Sequence, residues 1–101
     1  MFGKLGDMMG KLQEMKQKAD EAKEKLDHTI IDHEGAGGDI KISITGNRKI
    51  KSLHISPALQ HGDSEELLEQ LTVALNRAIE KADKANEEEM KNAASGLIPG
   101  L

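Results

Sequence analysis

Leu5, Met8, Leu12, Met15, Ala19, Ala22 and Leu26 recur at alternating steps of three and four through an otherwise polar stretch. That spacing places them on one side of a helix, at the two inward positions of a heptad. It predicts a long helix over about residues 4–26. Gly3, Gly6 and Gly10 weaken its first turns, so fraying is expected there. The period then changes. His28 to Glu34, around Thr29, Ile30 and Ile31, leans towards a strand, and Gly35-Ala36-Gly37-Gly38 reads as a turn. Asp39 to Thr45 alternates, with Ile40, Ile42 and Ile44 on one face and Lys41 and Ser43 on the other. Gly46-Asn47 is a hairpin signal, and Lys49 to Ser56 is the return strand. Its inward residues change parity between Ile50 and Leu53/Ile55, which predicts a bulge near Lys51-Ser52. Pro57 ends it.

A second helical seam follows: Leu68, Leu71, Leu75, Ala78, Ala82 and Ala85. It predicts a helix over about residues 63–94. Asp63, three residues before Glu66, resembles a capping box, and Ser95-Gly96 with Pro99 beyond marks the stop before a short tail, 95–101. The expected fold is α+β: a long helix, a three-stranded antiparallel sheet with strands between about 28 and 56, and a long helix. One domain, 1–101, is expected from this length.

The helices, about 35 and 45 Å long, outreach strands of about 20 Å. Apolar seams on overhanging helices need a cover, and a small core poor in aromatics is hard to stabilise alone. A homodimer with projecting helices is the expectation. Leu12, Met15, Leu26, Ile40, Ile42, Ile44, Leu68, Leu71 and Leu75 are the candidate packing or dimer residues.

Charge changes this picture more than composition does. The chain has 101 residues and a formal net charge of -4, so bulk charge does not announce a nucleic-acid binder. Yet residues 1–26 carry six lysines against five acids, whereas residues 63–101 carry nine acids against four basic residues. Lys4, Lys11, Lys16, Lys18, Lys23 and Lys25 all flank the first seam, and the acids of that helix fall elsewhere. A solvated rim explains such sorting, and so does an anion-contacting surface. On the second helix, Glu65 and Glu88 are the main acids beside the seam, too few to pair with six lysines. Arg77, Lys84 and Lys91 form a stripe there, interleaved with Glu80, Glu87 and Glu88, and Glu80 is placed to pair with Lys84.

Several functions are unsupported. With no Cys, disulfides and thiolate metal sites are excluded, and a reducing cytosol is the expected home. Phe2 is the single aromatic, so no platform exists for stacking unpaired bases, and any nucleic-acid contact must run mainly through phosphates and polar groups. His28, His33, His54 and His61 lack metal-ligand spacing. Gly35 to Gly38 lacks the lysine of a phosphate loop. No cofactor, small-molecule substrate, membrane span or catalytic constellation is expected.

Met1-Phe2-Gly3-Lys4, Gln13 to Lys18, and Gly35-Ala36-Gly37 leading into Ile40 to Gly46 stand in one order with four later motifs. These are Ile55-Ser56-Pro57-Ala58-Leu59, Leu67 to Leu71, Ala74 to Ala78, and Met90 with Ser95-Gly96 and Pro99-Gly100. Together they resemble the YbaB/EbfC family of bacterial nucleoid-associated proteins over nearly the whole chain. The resemblance implies a cytoplasmic, nucleoid-associated, non-enzymatic homodimer that binds double-stranded DNA with helices projecting from a central sheet. The acidic second helix departs from that role, which shifts the candidate contacts to Lys11, Lys16, Lys18, Lys23 and Lys25. The alternative is a dimeric protein-interaction adaptor without direct DNA binding, using Met1, Met8, Met9 and Met15 as an adaptable apolar surface.

Overall fold

The computed structural model describes residues 2–95, and side chains from Leu5 onward. Met1, the Lys4 side chain and the tail with Gly96 and Pro99 lie outside the described residues. The order is helix α1 (Phe2–Asp27), strand β1 (Ile30–Gly35), a single 3-10 turn (Ala36–Gly38), strands β2 (Ile40–Thr45) and β3 (Ile50–Ile55), a short helix α2 (Pro57–Gln60) and helix α3 (Ser64–Ser95). This is the α+β arrangement that the periodicities predict. The strands form one antiparallel sheet in the order β1-β2-β3.

Register explains the core. Ile31, His33 and Gly35 of β1 stand opposite Ile44, Ile42 and Ile40 of β2, and across β2 stand Ile50, Leu53 and Ile55 of β3. Cross-strand partners point to the same side, so one face is apolar. The predicted bulge is present: Ser43 pairs with Ser52 and Ile44 with Ile50, leaving Lys51 as the extra residue. α3 lies along this face over β1 and β2. Ile40, Ile42 and Ile44 meet Ala74, Ala78 and Ala82, and these six make the core cluster.

The α3 seam differs from the sequence reading. Its most buried line is Ala74, Ala78 and Ala82; Leu71 and Leu75 are only partly covered, and Leu68 is 63% exposed. The physical reason is closeness of backbones. A Cβ at Gly35 would lie 2.8 Å from that of Ala74, so the helix rests on the sheet where side chains are smallest. Leucines would hold it away, so they fall to the flank.

Caps and turns follow local chemistry. The Asp63 carboxylate accepts from the Glu65 backbone N–H at 2.9 Å, starting α3. Pro57 does end β3, but it also opens α2, whose cap is the Ser56 hydroxyl accepting from Leu59 N–H at 3.2 Å. The sequence reading missed α2. Glycine is needed at Gly37 and Gly38, with φ of 66° and 101°.

α1 and α3 run antiparallel. Lys25 meets Glu89, and Met15 and Ala19 share a small apolar groove with Met90, Ala93 and Ala94. The paired helices leave the sheet as an arm, giving extents of 70 × 21 × 17 Å and a radius of gyration of 19.7 Å. A compact chain of this length has a radius near 13 Å.

Candidate nucleic-acid interface

The arm is fixed to the sheet by the β2–β3 turn. Gly46 N–H donates to the carbonyls of Leu26, at 3.1 Å, and Thr29, at 3.0 Å. Asn47 donates its amide to the Lys23 carbonyl at 2.8 Å and to the Asp27 carboxylate. From the other helix, Asn86 donates to the Gly46 carbonyl at 3.1 Å and to the Asn47 side-chain oxygen at 3.2 Å. Arg48 pairs with Asp83. One turn therefore grips α1 and α3 together. The side-chain contacts of Asn47, Arg48 and Asn86 span 20 to 40 positions in sequence, and the Gly46-Asn47 hairpin signal marked the turn but not its hold on the helices.

All five candidate lysines, Lys11, Lys16, Lys18, Lys23 and Lys25, are on α1 and exposed. Lys25 is not free. Its ammonium sits 3.2 Å from the Glu89 carboxylate, with 68% and 22% of the two side chains exposed. Sequence reasoning named Glu65 and Glu88 as the flanking acids, but Glu89, a seam position of α3, is the one that pairs. Lys18 borders the same inter-helix groove, with Glu21, Ala22, Asn92 and Ala93. Among the described residues, ion pairs within 4.0 Å are limited to Lys25–Glu89 and Arg48–Asp83, so Lys11, Lys16, Lys18 and Lys23 carry no such pair. The suggested Glu80–Lys84 pair is not formed.

The candidate packing residues divide. Leu26, Ile40, Ile42 and Ile44 are the largest fully buried side chains. Leu71 and Leu75 are half-buried, whereas Leu12 and Leu68, each 63% exposed, are largely uncovered, and Met15 remains 42% exposed beside α3. On β3, Ile50 and Leu53 face the same side as the core but remain 49% and 46% exposed, because α3 covers β1 and β2 rather than the β3 edge.

Of the histidines, His33 alone is buried, and neither ring nitrogen has a hydrogen-bond partner. Burial holds its pKa below the ordinary 6.5, and the positive charges of Lys81 and Arg77 on α3 lower it further. Among the described residues, no group of three or more His, Asp or Glu is placed to hold a metal, and no helix is long and apolar enough to cross a membrane.

Fold and site define a small α+β protein that presents a lysine-edged helical arm from a three-stranded sheet. The chain belongs to the YbaB/EbfC DNA-binding family, whose model matches residues 1–97. It is 44% identical over 75 residues to a nucleoid-associated protein of Flavobacterium johnsoniae, covering 74% of this chain and 70% of that one. A nucleoid-associated protein of Chlorobium phaeovibrioides is 34% identical over 95 residues, covering 93% and 85%. Among solved structures, an uncharacterized protein from Helicobacter pylori matches with a TM-score of 0.69 and 31% identity, covering 95% of each chain.

Proposed function

We propose that this chain acts in the nucleoid as a homodimer that binds double-stranded DNA through its phosphates. The observation that carries the reading is the set of exposed lysines, Lys11, Lys16, Lys18 and Lys23, without ion pairs on a projecting helix. Each lysine that meets a phosphate releases condensed counterions, which favours binding without reading sequence. A flexible ammonium is a point charge, and no row of arginine or asparagine on α1 suits bidentate contact with base edges. Family membership and the names of the two bacterial relatives support DNA as the partner.

The dimer surface in this reading is the β3 side of the sheet. Ile50 and Leu53, with Leu68 and Ile79 of α3, leave apolar area in water, and β3 is an edge strand with an unpaired hydrogen-bonding side. A second copy covers both. The test is a labelled-duplex titration at low and high salt on material whose mass is measured by sedimentation. The reading expects a dimer whose duplex affinity falls steeply with salt. A monomer, or no duplex binding at low salt, refutes it.

A further inference from the structure

The basic residues between the two long helices are not scattered. From Ile40 to Gly62 there is no Asp or Glu, although the chain holds 18 acids, and Lys41, Arg48, Lys49 and Lys51 all fall in this stretch. Arg48, Lys49 and Lys51 gather on the β2–β3 hairpin, at the foot of the arm. Lys49 and Lys51 are exposed, and among the described residues neither has an ion pair within 4.0 Å. The carboxylates bonded to this turn, those of Asp27 and Asp83, are engaged by Asn47 and Arg48. The hairpin thus presents uncompensated positive charge on a chain whose net charge is -4.

Its place on the arm is defined. Lys16 and Lys23, one heptad apart, line one flank of the α1 seam, and Lys11, Lys18 and Lys25 line the other. Asn47 donates to the Lys23 carbonyl at 2.8 Å, which sets the hairpin at the lower end of the Lys16–Lys23 flank. The opposite flank is drawn to α3 through Lys25 and Glu89. The hairpin is also clamped. Arg48 has a φ of 66°, a conformation that glycine would hold without strain. The arginine there pairs with Asp83 of α3, so the strained residue is the one that fastens the turn to the helix. Lys51 is the extra residue of the β-bulge, a device that re-aims a side chain out of strand alternation. Ammonium groups carried by a clamped turn lose less freedom on binding than those on a free loop.

We infer that Lys49 and Lys51 are a second set of phosphate contacts, continuous with Lys16 and Lys23, so that a bound duplex is seated against the foot of the arm as well as along it. The inference rests on the duplex reading proposed above and extends it from α1 to the sheet. Lys41 lies outside this track, since it stands opposite Glu34, towards the end of β2 away from the turn.

Two measurements on the full chain test it. The first is a salt series of binding to a labelled 20-base-pair duplex, read by anisotropy. Lys49→Gln with Lys51→Gln should lower the logarithmic salt slope by about 1.8 per chain, which removes roughly a 12-fold loss of affinity between 50 and 200 mM salt. Lys49→Arg with Lys51→Arg, which keeps both charges, should hold the parent slope, and Lys41→Gln should leave it unchanged. The second measurement needs no variant. Acetylation of the parent chain by N-hydroxysuccinimidyl acetate, read by mass spectrometry, should slow at least fivefold at Lys49 and Lys51 under saturating duplex, and not at Lys41. An unchanged slope in the glutamine variant, or equal acetylation of Lys49 and Lys51 with and without duplex, overturns the inference. The α1 reading survives that result if Lys16→Gln, Lys18→Gln and Lys23→Gln together still lower the slope. A slope lowered equally by the arginine variant makes the effect structural, and one lowered as much per lysine by Lys41→Gln makes it an effect of net charge; either also overturns the inference. No duplex binding by the parent chain at low salt overturns both readings.

Discussion

Replacing lysines of α1 by glutamine tests the phosphate reading where the structure makes it most specific. Affinity for a duplex falls with salt on a logarithmic slope of about 0.9 for each phosphate neutralised. Lys16, Lys18 and Lys23 are exposed and have no ion pair within 4.0 Å, so their ammonium groups are available. If all three contact phosphate, Lys16→Gln, Lys18→Gln and Lys23→Gln together lower the slope by about 2.7 per chain. Between 50 and 200 mM salt, that removes roughly a 40-fold loss of affinity that the parent chain suffers. Lys25 behaves differently. To reach a phosphate it must leave Glu89, a partly exposed pair worth at most about 1 kcal/mol after solvent screening. Lys25→Gln therefore changes the slope less than Lys18→Gln, and Glu89→Gln, which frees Lys25, strengthens binding. Anisotropy of a labelled 20-base-pair duplex over a salt series, with circular dichroism as a folding control, measures all of these. An unchanged slope in the triple variant removes α1 from the interface. Lys25→Gln costing as much as Lys18→Gln refutes the claim that Glu89 occupies it.

Gly46→Ala should lower Tm by about 5–15 °C in a thermal melt, because its Cβ would fall 2.5 Å from Leu26 Cδ2 in the joint between arm and sheet. Leu53→Glu should weaken the proposed dimer by about two orders of magnitude in sedimentation equilibrium, since it sets a charge on an apolar face that the second copy covers. His33 should make stability depend on pH. Its folded pKa is depressed, so the unfolded chain binds the proton more readily; stability is full above the unfolded value of 6.5 and is lost as pH falls through it towards the folded value. His33→Leu, which removes two unpartnered ring nitrogens, should flatten chemical-denaturation stability between pH 7 and 5 and raise it by about 1 kcal/mol.

Much of the fold was legible because two periods differ. Ile40, Ile42 and Ile44 alternate, and the parity break after Ile50 announced the bulge at Lys51. The α3 face was less legible. Leu71 and Leu75 outrank Ala74 by hydrophobicity, but Gly35 lets the alanine line approach most closely, and nothing within α3 records what lies opposite. Ser56-Pro57 carried a readable signal for α2, a capping hydroxyl before a proline at the first helical position. For the site, the sorting of lysines beside the seam was visible from spacing. That Lys25, among the described lysines of α1, is the one to find a carboxylate was not, since its partner lies 64 residues on and depends on how the helices cross. The grip of Asn47 and Asn86 on both helices was hidden for the same reason.

That grip gives the molecule a lever. The hydrogen bonds around Gly46 and Asn47 act close to the fulcrum, whereas α1 spans 26 residues, about 39 Å. A tilt of about 5° at the turn displaces the far end by roughly 3 Å, comparable to the axial rise of about 3.4 Å between successive phosphates of one strand. The amide pair of Asn47 and Asn86 thus acts as a gauge on what the arm can measure. In the proposed dimer, stiffening or loosening this amide pair would retune the span between the two arms from a point that meets the proposed lysine row at the Lys23 carbonyl.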